Sequence, residues 1–122
     1  MQYKENLQQL CPATFAFGVI GGKWNLPILS MLSNQPVVRY NELKRGLDGI
    51  TGTMLTNCLK ELIDYGIVHR EQYPEIPLRV EYSLTPSGQA LVPLISSIVD
   101  WGEQHIESLI AADSSSVSPR PL

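Results

Sequence analysis

Cysteine is scarce in this chain. Cys11 and Cys58 are the only two in 122 residues, too few and too far apart for a disulfide framework, and neither belongs to a CxxC pair that would suggest zinc. Histidine is equally rare: His69 and His105 have no cysteine or carboxylate at metal-ligand spacing, so no metal and no cofactor are expected. Gly18, Gly21 and Gly22 do not form a phosphate loop, because no GKS/T follows them. Nothing pairs a nucleophile with a base, so an enzyme is not expected. No apolar run reaches the roughly 18 residues of a membrane span. The first ten residues, MQYKENLQQL, lack a basic segment followed by an apolar one, so the expected location is the cytoplasm, with no membrane partner.

Positive charge is also in short supply. The net charge is -3. Between Arg39 and Tyr82 six Lys/Arg (39, 44, 45, 60, 70, 79) face seven Asp/Glu (42, 48, 61, 64, 71, 75, 81). Affinity for nucleic acid comes largely from cations that displace counterions from phosphates, so such a partner requires these cations to gather on one face.

What the chain does have is concentrated between Asn41 and Arg70. Leu43 and Leu47 are spaced i, i+4; Asp48-Gly49 supplies turn chemistry; Leu55, Leu59, Leu62 and Ile63 then recur at helical spacing. The pattern predicts helix, tight turn, helix. Thr51 is placed to cap the second helix with its hydroxyl, and Gly66 to end it in a left-handed cap. With the leucines inward, Thr53, Thr56, Asn57 and Lys60 fall on the opposite face. These side chains suit base edges in a DNA major groove: a threonine offers a hydroxyl and a methyl, and asparagine can pair with adenine in bidentate fashion. The competing interpretation is an ordinary solvated helix face.

After Gly66, residues 67–73 and 79–84 alternate as strands, and Pro74 to Leu78 form a proline-bracketed tip. A helix-turn-helix followed by a β-ribbon is a winged helix. The motifs in series are Cys11-Pro12, Ile20-Gly21-Gly22-Lys23-Trp24, Arg39-Tyr40-Asn41-Glu42-Leu43, Gly49-Ile50-Thr51, Met54-Leu55-Thr56, Leu59-Lys60-Glu61-Leu62, Tyr65-Gly66-Ile67-Val68, Tyr73-Pro74, Pro77, Arg79-Val80-Glu81-Tyr82-Ser83-Leu84-Thr85, Gly88 and Trp101-Gly102. In that order and spacing, over about residues 10 to 103, the chain resembles the HxlR-type winged-helix transcriptional regulators of bacteria. The resemblance implies double-stranded DNA as partner and a homodimer joined through terminal helices. It also brings out two departures: Pro27 stands where the family usually has an ordinary apolar residue, and Gly52-Thr53 where it commonly has a basic or long polar one.

By length the chain is one domain, mainly α with a small β-ribbon (α+β), spanning 11–112. Within it, 41–66 is the helix-turn-helix, 67–84 the wing and 86–112 a dimerisation helix. Residues 1–10 are expected to be a flexible segment and 113–122 a disordered tail. Pro12 opens a helix over 12–20 that Gly21-Gly22 breaks, and a second helix is expected over about 23–32, with Pro27 distorting its first turn or delaying its start. Val37-Val38-Arg39 reads as a short strand at the edge of the wing, and Tyr40 to Leu47 as the first helix of the motif. Lys44 and Arg45 on that helix are candidate phosphate clamps, because a first helix crosses the DNA backbone. Arg70 and Arg79 bracket the wing tip and are further candidates for phosphates, although Arg79 has an ion pair with Glu81 as a competing role. Thr85-Pro86 starts the last helix, in which Leu91, Leu94, Ile95, Ile98, Trp101, Gly102, Ile106 and Leu109 share helical spacing and Pro93 is expected to kink or split the run. A helix of some 25 residues is about 38 Å long, more than one small domain buries, so a second copy of the chain is the expected cover.

Cys11 precedes Pro12 and so sits at the positive end of the first helix, where a thiolate is stabilised. By resemblance it is a candidate sensor of oxidants or electrophiles; the alternative is a buried, inert side chain. Cys58 is expected to pack inside the recognition helix. The expected function is a sequence-specific DNA-binding regulator, in the first place a repressor, acting as a homodimer on a near-palindromic operator. The alternative is a winged-helix protein-interaction module without DNA binding. Operator, signal and any small-molecule effector are not legible in the sequence.

Overall fold

A computed structural model of the chain describes residues 11–114. The segment 1–10 and most of the tail, from 115 on, lie outside the described residues, and with them the expectation of flexibility there. Asp113 and Ser114, expected in the tail, instead complete the last helix. The elements are α1 (Pro12–Ile20), α2 (Asn25–Asn34), β1 (Val38–Arg39), α3 (Tyr40–Gly46), α4 (Gly52–Asp64), β2 (Val68–Tyr73), β3 (Arg79–Leu84) and α5 (Pro86–Ser114). The chain divides after Gln89 into two compact units.

The first unit holds the helix-turn-helix and the wing. Its core is formed by Ile28, Leu29 and Leu32 of α2, Val38 of β1, Leu43 of α3 and Leu55, Leu59 and Leu62 of α4, with Val68 and Tyr82 from the ribbon. The leucine spacing read from the sequence is thus the buried stripe of α4, and burying each such side chain is worth about 1.5–3 kcal/mol. Pro27 does not break α2. The helix starts at Asn25, so Pro27 lies in the first turn, where an amide hydrogen has no partner to lose. Asn25 is itself buried, and its Nδ2 donates to the Val19 carbonyl at 2.8 Å, tying the start of α2 to the end of α1.

Between α3 and α4 the Ile50 amide donates to the Leu47 carbonyl at 3.1 Å, and Gly49 takes φ +87°, as the third position of a type II turn requires. The Thr51 hydroxyl accepts from the Met54 amide at 3.1 Å and so caps α4. At the other end the Ile67 amide reaches back to the Leu62 carbonyl and the Gly66 amide to the Ile63 carbonyl, with Gly66 at φ +77°. That is a Schellman termination, and it turns the chain directly from α4 into β2.

The sheet has the order β1-β3-β2, all antiparallel. Val38 pairs with Tyr82, and β2 runs against β3 from Val68↔Leu84 to Tyr73↔Arg79, so the predicted edge strand and ribbon are both present. Thr85 closes this unit: its hydroxyl donates to the Gly66 carbonyl at 2.6 Å and accepts from the Gly88 amide at 3.1 Å, capping α5.

The second unit is the remainder of α5. Pro93 lies inside this helix without splitting it. Leu94, Ile98, Val99, Trp101, Ile106, Leu109 and Ile110 are all exposed along it, and Trp101 stacks on His105 one turn later, with ring centroids 5.0 Å apart. Among the described residues no single helix is long and apolar enough to cross a membrane.

Candidate nucleic-acid interface

The face of α4 opposite its buried leucines carries Thr53, Thr56, Asn57 and Lys60, all exposed. Asp64 follows Lys60 by one turn on the same stripe and is also exposed. Gly52 opens α4, where a Cβ would stand 3.3 Å from the Tyr40 hydroxyl, a tight contact to which the tyrosine must give by a few tenths of an ångström.

Tyr40, the first residue of α3, was not singled out in the sequence. Its hydroxyl donates to the Gly52 carbonyl at 3.1 Å and lies 3.3 Å from Thr56 Oγ1. It therefore bolts the first helix of the motif to the opening turn of the second. The signal that would have found it is its place three residues before the buried Leu43: an aromatic ring there can lie along the junction, and a phenol needs a hydrogen-bond partner once it is partly buried.

Lys44 and Arg45 are exposed on α3 and, with Asn41, line a shallow open cavity of about 400 Å³. Among the described residues neither forms an ion pair, and neither does Lys60. The wing is different. Arg79 Nε lies 2.8 Å from Glu75 Oε2, a charge contact without the alignment of a hydrogen bond, while Nη1 donates to Glu81 Oε2 at 3.1 Å. Its guanidinium also covers the Tyr73 ring at 3.9 Å. Arg79 is thus held on three sides and is half-buried, whereas Arg70 is exposed and, among the described residues, donates only to Gln72, at 3.1 Å. His69 Nε2 meets Glu71 Oε2 at 2.9 Å on the exposed face of β2, a pairing the sequence reading did not foresee. Among the described residues no group of three or more His, Cys, Asp or Glu is placed to hold a metal ion.

Cys11 is exposed, at the N-cap of α1. The Thr14 amide, then the Ala13 amide and the Thr14 hydroxyl, stabilise its thiolate and hold its pKa below that of an ordinary cysteine. Cys58 is displaced the other way, by burial first and then by the neighbouring Glu61 carboxylate.

Residues 19–109 match the model of the HxlR-like helix-turn-helix family. The chain belongs to that family. It is thereby a transcriptional regulator of the winged-helix type. Its relatives include the HTH-type transcriptional regulator YybR of Bacillus subtilis, 41% identical over 113 residues that cover 89% of each chain. Among solved structures, the redox regulator HypR in its reduced form is 40% identical, with a TM-score of 0.76 over 83% of this chain and 99% of that one. Reduced YodB from B. subtilis is 34% identical, with a TM-score of 0.71 over 78% of this chain and 93% of that one. The HxlR-like match spans α2 through most of α5, so it takes in every element that carries a candidate DNA contact.

Proposed function

We propose that this regulator binds double-stranded DNA as a homodimer in the cytoplasm, placing α4 of each protomer in a major groove of a near-palindromic operator. The observation that carries this reading is the outward face of α4: hydroxyl, hydroxyl, amide and ammonium groups stand exposed at Thr53, Thr56, Asn57 and Lys60, over a stripe of buried leucines. The first three have the donors, acceptors and methyls that read base edges. Lys44, Arg45 and Arg70, exposed and free of carboxylates among the described residues, are suited to phosphates. Arg79 joins them only by exchanging Glu75 or Glu81 for a phosphate oxygen.

The exposed apolar residues of α5 support the homodimer, since an uncovered row of this length is a typical self-association surface. We propose repression as its mode of action. The low thiol pKa and exposure of Cys11 support a response to oxidants or electrophiles. HypR and YodB lend weight to it, since HypR is described as a redox regulator in an oxidised form and YodB was solved after diamide treatment.

Selection of genomic fragments bound by the protein tests this reading. The expected result is a set of inverted repeats whose half-sites are about 34 Å, one DNA turn, apart, bound by a dimer. Failure to bind any duplex at low salt overturns it and favours a protein-interaction module.

A further inference from the structure

The bonds around Tyr40 fix which way Thr56 points its proton. A carbonyl oxygen can only accept, so the bond from the Tyr40 hydroxyl to the Gly52 carbonyl at 3.1 Å uses the one proton that Tyr40 has. Thr56 Oγ1 lies 3.3 Å from that same phenolic oxygen. With the tyrosine proton already committed, this second bond forms only if Thr56 donates. The Thr56 hydroxyl, otherwise a rotor that can give or take a hydrogen bond, then faces outward with lone pairs alone. Gly52 is part of the device, because any Cβ there would press against the Tyr40 hydroxyl.

We infer that Tyr40 is a specificity-determining residue that acts through Thr56, turning it into an obligate acceptor that recognises an exocyclic amine, N6 of adenine or N4 of cytosine, on the strand it faces. In the major groove these amines are the donors, whereas N7, O6 of guanine and O4 of thymine are acceptors and have nothing to offer a hydroxyl whose proton is already spent. Tyr40 is a positioning residue here and touches no base. The inference rests on the proposal that α4 reads sequence, and it adds the chemical class of base that one position selects.

The test uses the full chain and operators recovered by selection. The base pair read by Thr56 is the one at which Thr56→Val loses its preference. At that pair adenine is replaced by purine, which lacks the 6-amino group, or cytosine by 2-pyrimidinone, which lacks the 4-amino group. One neutral hydrogen bond corresponds to roughly a fivefold change in affinity. The wild-type protein should lose about that factor, Thr56→Val should lose nothing further, and removal of N7 with a 7-deaza base should affect both proteins equally. Tyr40→Phe should flatten the preference for the amine, because the freed hydroxyl can then donate as well, while binding to non-specific duplex stays within about twofold, a pattern that mere loosening of α4 would not give. Gly52→Ala, which displaces the Tyr40 hydroxyl instead of removing it, should flatten it likewise. Coupling of Thr56 to N7, O6 or O4 in the wild-type protein overturns the inference, as does a Tyr40→Phe protein as discriminating as the parent, or a Thr56→Val protein with unchanged preferences at every position. A wild-type protein that selects no sequence at all overturns the reading of α4 as well; the other outcomes leave that reading intact.

Discussion

Gly88 lies so close to Ile67 that the place where a side chain would begin is already occupied by the Ile67 carbonyl oxygen. Leu84 Cδ2 and Ile67 Cγ2 stand 3.2 and 3.3 Å from the same point, so little around it can give way. The contact fixes the first turn of α5 on the start of the wing, where the Thr85 hydroxyl bridges Gly66, Ile67 and Gly88. Gly88→Ala should therefore cost about 1–3 kcal/mol as an overpacking substitution, and Thr85→Ala about 1 kcal/mol as loss of a cap. Urea unfolding with an unchanged slope would measure both. A Gly88→Ala protein as stable as the parent would show that the junction is loose.

The two thiols should separate by pH. The thiolate is the reactive species. Hydrogen-bond donors at Thr14 and Ala13 lower the Cys11 pKa, so its alkylation should reach its plateau at a lower pH than free cysteine, and should be lost as pH falls through that lowered value. Burial and Glu61 raise the Cys58 pKa, so its reaction should begin only at higher pH. Iodoacetamide rates at each cysteine, followed by peptide mass spectrometry, give the profiles. A Cys11 no faster than free cysteine at neutral pH would end its candidacy as a sensor.

The wing arginine is held by carboxylates, and releasing it should be visible in DNA binding. Glu75→Gln removes one of the two acids on Arg79 and one negative charge from the wing tip. Affinity for a non-specific duplex should rise by roughly two- to fivefold at low salt, and the salt slope should steepen by up to about one. Fluorescence anisotropy across a salt series reads both quantities. An unchanged slope would mean that Arg79 stays with Glu81 and Tyr73 and serves the wing alone.

Much of this was legible in the spacing of a few residues. Leu55, Leu59 and Leu62 placed α4, Thr51 and Gly66 bounded it, and the alternation on both sides of the proline-bracketed tip gave the ribbon, because caps and periodicities are local. For Pro27 the sequence offered a distorted first turn or a later start, and the later start is the outcome: α2 begins at Asn25 instead of about Lys23, with the buried Asn25 reaching across to Val19. Pro93, expected to kink or split the last run, sits inside a single unsplit helix. The outward face of α4 was readable as a candidate, but the Tyr40 link to Gly52 and Thr56 was not. It joins residues 12 and 16 positions apart, and no local rule pairs them. For Arg79 the sequence offered both a phosphate and an ion pair with Glu81, with Glu75 at the tip opposing the phosphate; the Tyr73 ring under the guanidinium becomes visible only once Tyr73 and Arg79 are paired across the strands.

The most direct test of the account compares Thr53→Ala and Asn57→Ala with the parent on a selected operator and on a non-specific duplex of the same length and salt. Losses of roughly 5- to 150-fold on the operator are expected, the equivalent of about 1–3 kcal/mol of base discrimination, with non-specific affinity changed by less than about twofold. Equal losses on both duplexes, or none on either, would contradict the claim that this face of α4 reads DNA sequence.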